Sequence, residues 1–463
     1  MSISELEALV KPGKRCHLIG IGGVSMSPLA EVLLAKGVTV TGSDISESAA
    51  VAHLRELGVT VYIGHSPENV GSAEFVIRTA AAGEDNPEVA ECRRRDIPLF
   101  ERAQGWGLLM RGAKNAVCIA GAHGKTTTTS MVAAILIDAQ ADPTVMIGGT
   151  LPKLGSGYRV GDENSGKSGT YVLESCEYKD SFLYFYPTVA VVLNVDADHL
   201  DYFKNLDNVK TSFRRFAELT PEDTGIVVSN ADDGNTVDTL AGISRRHITF
   251  GIENPADFTA KNIRYTGTGS EFEVFHGEAR LFSATLREPG LHNVQNALAA
   301  AAVTSALGVA PEQIQASLAQ FMGAERRFEY KGEINGAKIY DDYAHHPTEL
   351  KMLLDAAEKI SAGRIIVAFQ PHTYTRTHAH FDAFVEQLRR PDKVFLADIY
   401  AARELNEVGV SSKDLAEKIP GAVFEPDFDR LAELIAAEAA PGDIVLTVGA
   451  GELYKVGEAL SGM

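Results

Sequence analysis

The feature that most constrains this chain is an apolar run that breaks into a glycine-containing loop and then into a helical segment. It reads Val117-Cys-Ile-Ala-Gly-Ala-His-Gly-Lys-Thr-Thr-Thr-Thr-Ser130. A buried strand followed directly by a helix is the repeating unit of α/β sheets. The two glycines let backbone N–H groups converge on one point, where the helix N-terminus adds positive potential. The stretch therefore predicts a phosphate-binding loop in an α/β domain.

Two residues of this loop indicate its ligand. Lys125 supplies a mobile charge for the β- and γ-phosphates, and the Thr126 hydroxyl is a natural Mg²⁺ ligand. Ile119 stands where the common phosphate-loop pattern has its first glycine. The strand before the loop and the helix after it favour nucleoside triphosphate binding over an ordinary strand–helix turn.

The N-terminal region predicts a second nucleotide site. A strand from Cys16 leads into a turn with Gly20, Gly22 and Gly23, and a second strand ends in Gly42-Ser43-Asp44. An acid about 20 residues after such a turn meets a ribose hydroxyl in dinucleotide folds. Ser25 replaces the third glycine, which disfavours a nicotinamide cofactor. The turn is typical of a nucleotide diphosphate site, with a purely structural turn as the alternative.

His65 follows another short strand of this region. Its position is compatible with a ligand contact, although an isolated histidine is also common on a protein surface.

Two further strand ends carry polar groups. The run Thr170–Leu173 ends in Glu174, and the run 189–193 is followed by Asn194, Asp196, Asp198 and His199. Because parallel strands end on one sheet edge, we expect Glu174 and His199 to lie beside the phosphate loop. A carboxylate there predicts a Mg²⁺ ligand. For His199, hydrogen bonding or helix capping is the alternative.

The segment 261–286 alternates polar and apolar residues, which predicts a hairpin and a small antiparallel addition to the sheet. Asn293 and Asn296 follow on one face of an alanine-rich helix. Their amides suit an adenine edge, and helix capping is the alternative.

The last third repeats the alternation of strands and helices. Its predicted strands end in four polar segments, at 341–349, 370–376, 398–404 and 449–451. Because these segments share one sheet edge, we expect them to form the second half of an active site that closes on the triphosphate domain.

The chain has 463 residues, which at roughly 150 residues per domain gives about three domains. We predict boundaries at 1–112, 113–326 and 327–463. The predicted fold class is α/β with a Rossmann-like N-terminal domain and a Rossmann-like C-terminal domain. Between them we predict a phosphate-loop ATPase-type domain with a small added antiparallel sheet.

Charge and composition exclude some functions. The 62 acids and 43 bases give a net charge of −19, which argues against nucleic acid or an anionic membrane as partner. The four cysteines show no Cys-x-x-Cys spacing and are expected to be free thiols in a reducing compartment. No signal peptide or apolar run of about 18 residues is present, so we expect a soluble, cytoplasmic chain without membrane insertion.

Five stretches together resemble the Mur ligase family along nearly the whole chain. They are Gly20-Ile-Gly-Gly-Val-Ser-Met26, Gly121-Ala-His-Gly-Lys-Thr126, His292-Asn-Val-Gln-Asn296, Asp341-Asp-Tyr-Ala-His-His-Pro-Thr-Glu349 and Gln370-Pro-His-Thr-Tyr-Thr-Arg376. The resemblance implies an ATP- and Mg²⁺-dependent ligase of peptidoglycan precursor synthesis. It implies the alanine-adding branch, in which the lactyl carboxylate of UDP-N-acetylmuramate becomes an acyl phosphate that L-alanine attacks.

The resemblance also implies site residues in this numbering. The residues for ATP are Gly121, Ala122, His123, Gly124, Lys125, Thr126, Thr127, Asn293, Asn296 and Arg327. Those for the UDP-sugar are Gly20, Ile21, Gly22, Gly23, Ser43, Asp44 and His65. Those for the amino acid are Tyr343, His345, His372 and Arg376. The metal ligands are Thr126, Glu174 and His199, and the catalytic residues are Lys125, His199, His345 and Arg376.

The chain departs from the family pattern at two places. Phe213 stands where several members carry a carboxylated lysine, which implies a metal site without that modification. Thr373 stands where some members carry an arginine that helps to recognise the substrate carboxylate.

Three other functions remain as alternatives, namely a recycling ligase that joins the same UDP-sugar to a preformed peptide, a dinucleotide-dependent oxidoreductase and a non-catalytic nucleotide-binding partner. The Gly-Ile-Gly-Gly opening favours alanine addition. Either a monomer or a homodimer is compatible with the sequence.

Overall fold

The computed structural model describes residues 3–162, 169–266, 269–402 and 404–463. These residues form two compact units. The first contains the chain up to Thr259 together with Leu298–Ile314, and the second contains Ala260–Ala297 and the chain from Gln315 onward.

The first unit begins with a parallel sheet. Its strands are β1 Arg15–Ile19, β2 Thr39–Asp44, β3 Thr60–Ile63, β4 Phe75–Arg78 and β5 Leu99–Glu101. Its helices are α1 Ile3–Leu9, α2 Ser27–Ala35, α3 Ala49–Glu56, α4 Pro87–Arg94 and α5 Arg102–Met110. The strand order β3-β2-β1-β4-β5 changes direction at β1, the strand before the glycine turn. Doubly wound sheets bind ligands at such a point, and the predicted Rossmann-like fold is confirmed.

The central sheet follows in the same unit. Its strands are β6 Asn115–Ala120, β7 Thr144–Leu151, β8 Ser156–Arg159, β9 Thr170–Glu174, β10 Val189–Val192, β11 Ile226–Asn230 and β12 Arg246–Gly251. Its helices are α6 Lys125–Asp138, α7 Leu200–Phe203, α8 Leu206–Glu218 and α9 Gly234–Leu240. Strand β6 lies between β10 and β9 and is parallel to both. The loop after β6 therefore lies beside the polar ends of two neighbouring strands, as predicted.

Strand β6 has the burial expected of a strand in the middle of a sheet. Its last five residues, Ala116–Ala120, are buried, as expected for a parallel strand covered on both faces. Strand β8 pairs antiparallel with β7 at the edge, so the central sheet is mixed. A further strand, β13 Phe258–Thr266, begins beside β12 in parallel pairing.

The second unit contains the predicted hairpin. Strands β14 Gly269–His276 and β15 Ala279–Leu286 pair antiparallel. Helices α10 Leu291–Ala306 and α11 Pro311–Gln320 follow along the chain. The alternation of side chains in this segment predicts the pairing, because one face of the hairpin is buried and the other is exposed.

A third sheet completes the second unit. Its strands are β16 Glu329–Ile334, β17 Ala337–Asp342, β18 Ile365–Phe369, β19 Lys393–Leu396, β20 Val423–Phe424 and β21 Ile444–Val448. Its helices are α12 Pro347–Ile360, α13 Tyr374–Ala379, α14 Phe381–Leu388, α15 Ser412–Lys418, α16 Phe428–Glu438 and α17 Tyr454–Ser461. The order is β16-β17-β21-β18-β19-β20, and only the β16–β17 pair is antiparallel among the described pairs.

The four polar segments predicted for this region follow β17, β18, β19 and β21. Since these four strands are parallel, the segments share one edge of the sheet, as expected. Arg403, within the third segment, lies outside the described residues.

Within the described ranges, no helix has the length and apolar character needed to cross a bilayer. The cysteines are free thiols, and three of them, Cys16, Cys92 and Cys118, are buried.

One carboxyl group in the second unit is buried without full hydrogen bonding. The Glu288 side chain is 7% exposed, and its Oε2 has no hydrogen-bond partner among the described residues. Burial raises the pKa of Glu288 to about 7, against smaller lowering effects of its own backbone and of Arg287. The folded state therefore binds this proton more tightly than the unfolded state does.

We expect Glu288→Gln to stabilise the protein in alkaline solution. The stabilisation from the protonated carboxyl is complete below about pH 4.3, decreases as the pH rises from there to 7 and is lost above 7, a loss of about 4 kcal/mol. Glutamine avoids this loss, so urea unfolding midpoints should be higher for the variant at pH 8.5 and similar at pH 5. Glu278→Gln, in the exposed hairpin turn, is the matched control. A variant less stable than wild type at pH 8.5 would contradict the prediction.

Candidate active site

The phosphate loop is anchored between β6 and α6. Gly124 adopts a φ of +80° at the start of α6, a conformation that favours glycine. Asn194, after β10, binds the loop from the neighbouring strand. Its Oδ1 accepts the His123 N–H at 2.8 Å, and its Nδ2 donates to the His123 carbonyl at 3.0 Å. The loop therefore has a fixed shape at the end of the sheet.

Lys125, the first residue of α6, turns back across this loop. Its Nζ donates to the carbonyls of Gly121 and Ala122 and lies 3.1 Å from Glu177 Oε2. The lysine side chain is 15% exposed and that of Glu177 only 2% exposed. Sequence reasoning missed Glu177, because it belongs to the loop after β9 and not to a strand end. The only hint in the sequence was that Glu177 lies three residues after Glu174, close to the predicted strand end.

The charge of Lys125 is fixed by this environment. Burial by itself lowers the pKa of Lys125, but the nearby carboxylates of Glu177 and Glu174 raise it well above its usual value. The ammonium is therefore fully protonated at neutral pH and is placed to bind an anion.

Glu174 lies at the end of β9 beside the start of α6. Its Oε1 accepts the Thr126 hydroxyl at 3.2 Å, and its Oε2 accepts the Gly148 N–H at 2.7 Å. A Cβ at position 148 would lie 2.4 Å from Glu174 Oε1, so a side chain there would displace the Glu174 carboxylate. The predicted proximity of Glu174 and Thr126 is confirmed.

His199 precedes α7 and adopts a φ of +54°. Its Nε2 lies 4.0 Å from Glu177 Oε1 and 3.8 Å from Asp198 Oδ2, and its ring lies 4.7 Å from that of Tyr178. One ligand atom from each of Glu177, Asp198 and His199 lies within 4.8 Å of the others. The structure thus groups His199 with Glu177 and Asp198, and it groups Thr126 with Glu174.

These donors fit a hard divalent cation. Mg²⁺ takes one or two carboxylates together with phosphate oxygens and water. Thr126 with Glu174 provides a hydroxyl and a carboxylate, and Glu177 with Asp198 provides two more carboxylates beside His199. Both groups belong to the first unit, at the polar ends of the central sheet.

The other predicted loop residues, Ala122, His123 and Thr127, are buried. The His123 ring nitrogen Nε2 lies 3.2 Å from Asp196 Oδ2, which ties the loop to the segment after β10.

Asp44, the acid that follows the N-terminal glycine turn, accepts a hydrogen bond from that turn. Asp44 Oδ2 accepts the Gly22 N–H at 2.8 Å, and Oδ1 accepts the Ile45 N–H at 2.8 Å. The predicted contacts Ser43 and His65 lie together, with Ser43 Oγ 3.1 Å from His65 Nδ1. The structure therefore brings the predicted sugar-nucleotide residues to one end of the first sheet.

In the second unit the predicted amino-acid residues form one chain of contacts. The rings of Tyr343 and His345 are 5.5 Å apart, and those of His345 and His372 are 5.7 Å apart. Arg376 Nη1 lies 3.1 Å from His372 Nδ1. Burial, with the positive field of His345 and Arg376, lowers the pKa of His372 to about 4, so its neutral ring accepts the guanidinium N–H.

Thr373, between these two residues, adopts a φ of +63°, which a β-branched residue rarely does. Its N–H donates to the Tyr400 carbonyl at 2.9 Å, and this bond holds the strained turn that places His372 and Arg376.

The residues predicted for adenosine and phosphate also lie in the second unit. Asn293 and Asn296 are buried at the start of α10, and Asn296 Nδ2 lies 3.4 Å from Asn293 Oδ1, which confirms that they share one face. The Arg327 guanidinium lies 5.2 Å from the Tyr343 ring centre, beside the amino-acid cluster.

Three family descriptions match successive parts of the chain. The catalytic domain of the Mur ligase family matches residues 15–114, the Mur ligase middle domain matches residues 119–304, and the Mur ligase glutamate ligase domain matches residues 326–451.

Individual relatives match almost the whole chain. A UDP-N-acetylmuramate–L-alanine ligase of Caldanaerobacter subterraneus subsp. tengcongensis is 46% identical over 450 residues, 96% of each chain. One of Clostridium tetani is 43% identical over 451 residues, 96% of this chain and 97% of the relative.

Two solved structures share the fold. The UDP-N-acetylmuramate–alanine ligase of Thermotoga maritima has a TM-score of 0.78 at 28% identity, covering 96% of this chain and 98% of its own. A murein peptide ligase of Psychrobacter arcticus has a TM-score of 0.71 at 25% identity, covering 97% and 98%. With a three-domain α/β fold and family matches that span most of its length, this chain belongs to the Mur ligase family.

Proposed function

We propose that this chain joins L-alanine to the lactyl carboxylate of UDP-N-acetylmuramate, with conversion of ATP to ADP and phosphate, in peptidoglycan precursor synthesis in the cytoplasm. The observation that most supports this function is the site in the first unit. A charged lysine, a rigid glycine loop and clustered carboxylates meet there at the end of one sheet. The relatives at 43–46% identity over 96% of this chain are named for alanine addition, whereas the murein peptide ligase that also covers the chain is 25% identical, which favours L-alanine over a peptide.

The reaction has two steps in this proposal. A carboxylate oxygen of the UDP-sugar attacks the γ-phosphorus of ATP, and ADP leaves. The amine of L-alanine then attacks the carbonyl carbon of the acyl phosphate, phosphate leaves, and the nitrogen loses a proton. Both reactants of the first step are anions, so the barrier is one of charge repulsion and orientation, and no side-chain nucleophile is required.

The residues of the first unit suit the first step. The loop N–H groups and Lys125 would hold the phosphates, and Thr126 with Glu174 would hold one Mg²⁺. Glu177 and Asp198, together with His199, suit a second cation. When bound, Mg²⁺ supplies charge neutralisation for the phosphate and carboxylate oxygens.

The residues of the second unit suit alanine and adenosine. Arg376 provides a planar guanidinium for a carboxylate or phosphoryl group, and the neutral His372 holds that guanidinium in place. Tyr343 and His345 would complete the amino-acid pocket. Asn293 and Asn296 would meet the adenine edge, with Arg327 toward a nucleotide phosphate. We assign residues 1–112 to the UDP-sugar, 113–326 to ATP and 327–463 to the amino acid.

A phosphate-release assay with purified protein, ATP and Mg²⁺ tests this function directly. We expect phosphate release that requires both UDP-N-acetylmuramate and L-alanine. Release with a preformed murein tripeptide but not with L-alanine would identify a recycling ligase. Tight NADH binding without ATP turnover would indicate an oxidoreductase, and absence of any turnover would indicate a binding protein.

Amino-acid selectivity should be graded. Burying one methyl group is worth about 1–3 kcal/mol, so we expect kcat/KM for glycine to be about 10- to 200-fold below that for L-alanine. Serine should also be a slow substrate, because a site that accommodates a methyl group rejects an added hydroxyl only weakly. Phosphate release at saturating ATP and UDP-sugar measures both ratios. Complete refusal of glycine and serine would contradict a pocket of this kind.

A further inference from the structure

A fully buried carboxylate, Glu88, contacts two of the side chains predicted to meet the UDP portion, Ser43 and His65. Glu88 lies in the first turn of α4, where the side chain of Asn86 caps the helix by accepting the Glu88 N–H at 2.9 Å. Its own side chain is 0% exposed. A buried charge of this kind requires partners, and here the partners come from three other segments of the domain.

One oxygen of Glu88 faces the predicted ligand contacts. Oε2 accepts the Ser43 hydroxyl at 2.6 Å and lies 3.3 Å from His65 Nδ1. The Nε2 of His17, on β1, lies 3.5 Å from the same oxygen.

The other oxygen faces the loop after β3. Oε1 accepts the Asn69 side-chain N–H at 2.7 Å and the Ser66 backbone N–H at 3.3 Å. Burial by itself raises the pKa of Glu88, but His17, Ser43 and Asn69 lower it to about 2, so the group is an anion at neutral pH.

These contacts determine which nitrogen of His65 carries a proton. A carboxylate only accepts hydrogen bonds. The Ser43 hydroxyl gives its proton to Glu88, so Ser43 Oγ presents only lone pairs to the ring nitrogen 3.1 Å away. Both polar neighbours of His65 Nδ1 are therefore acceptors, and Nδ1 must be protonated. In a neutral imidazole the other nitrogen, Nε2, is then an acceptor.

We propose that Glu88 is a positioning residue for sugar-nucleotide binding, which fixes His65 as the Nδ1–H tautomer so that Nε2 accepts an N–H or O–H of the ligand. This inference rests on the proposed function, in which Ser43 and His65 meet the UDP portion. Glu88 also holds Ser66 and Asn69, so it orders the loop that carries His65 and sets the direction of that ring.

The tautomer is measurable without any ligand. Long-range ¹H–¹⁵N NMR spectra of the histidine rings, with His65 assigned by comparison with His65→Gln, should show a protonated Nδ1 in the wild type. In Glu88→Gln, the Ser66 backbone N–H can only donate, so the amide oxygen of the glutamine should take the position of Oε1. The amide NH₂ then takes the position of Oε2 and faces His65. We therefore expect this variant to shift His65 to the Nε2–H tautomer. An Nε2–H tautomer in the wild type would overturn the inference, and this arm does not depend on the variant folding.

Binding tests the functional consequence. Removing an outer-shell partner of a ligating histidine in metal sites costs about 10- to 100-fold, and we expect a loss of this size in the affinity of Glu88→Gln for UDP-N-acetylmuramate. Its affinity for ATP should stay within about twofold, by calorimetric titration. Glu91→Gln, on the same helix with its carboxylate on Arg94, is the matched control and should bind both ligands normally.

A double variant separates positioning from general support of the fold. If Glu88 acts through His65, then Glu88→Gln should weaken sugar-nucleotide binding little further in a His65→Ala background. An equal loss in both backgrounds would overturn the inference. A wild-type protein that does not bind UDP-N-acetylmuramate at all would instead refute the proposed function, whichever tautomer His65 adopts.

Discussion

Lys125→Met is expected to lower the kcat for ligation by about 10³-fold, the lower end of what a transition-state arginine contributes in other phosphoryl-transfer enzymes. The reason is that Lys125 Nζ lies in the phosphate loop, and nearby carboxylates keep it charged. Affinity for UDP-N-acetylmuramate should remain nearly unchanged, because the glycine turn that is proposed to bind it belongs to a different sheet. Steady-state phosphate release and calorimetric titration measure the two quantities.

The same substitution should also destabilise the protein. Without Lys125, the buried Glu177 carboxylate loses the ammonium group that it is paired with. Breaking a buried ion pair in this way costs about 3–5 kcal/mol. The double variant Lys125→Met/Glu177→Gln should recover most of the stability and none of the activity. Lys153→Met, at a partly exposed ion pair with Asp138, is the matched control. Recovery of activity in the double variant, or a parallel loss of sugar-nucleotide affinity, would refute the role given to Lys125.

Glu174→Gln is expected to reduce kcat/KM for ATP by about 10²–10³-fold, the size of effect found when one preorganised electrostatic contact to a transition state is removed. The neutral amide still fits between Thr126 and Gly148. It lacks the negative charge through which a carboxylate binds Mg²⁺ more tightly than a neutral amide does. The Mg²⁺ concentration for half-maximal rate should therefore rise, whereas chelation with EDTA should stop the wild-type reaction.

The Mg²⁺ titration separates a metal ligand from a structural residue. Glu222→Gln, whose side chain is 79% exposed, should leave both the rate and the Mg²⁺ dependence unchanged. A normal Mg²⁺ requirement in Glu174→Gln, or product formation by metal-depleted wild type, would show that Glu174 does not hold the cation.

The α/β architecture could be predicted from the sequence, because a buried parallel strand is a short run of consecutive apolar residues. Buried runs such as β6 and β10 stand out between helical segments, and the polar residues that follow them mark the binding edge of the sheet. The hairpin β14–β15 could also be predicted, because only one of its faces is buried and its sequence therefore alternates between polar and apolar residues.

Other site features left no comparable local pattern. Glu177 pairs with Lys125, but it lies in a loop just before a short 3₁₀ helix, where no strand end marks it as a site residue. Glu88 is a single acid in the first turn of α4, and only the packing of that helix shows that it contacts Ser43 and His65.

By itself the sequence determined the kinds of strand, loop and helix, the order of the nucleotide-binding motifs and the family. The elements follow from short-range periodicity and from glycine spacing, and the family follows from the resemblance of five short motifs; all of these are properties of consecutive residues. The tertiary structure alone decided which carboxylates are paired with Lys125, which cluster surrounds His199 and which polar groups face His65 and His372. Those features depend on burial and on distances of a few ångströms between segments far apart in the chain, because the energy of a buried charge is set by its neighbours in space.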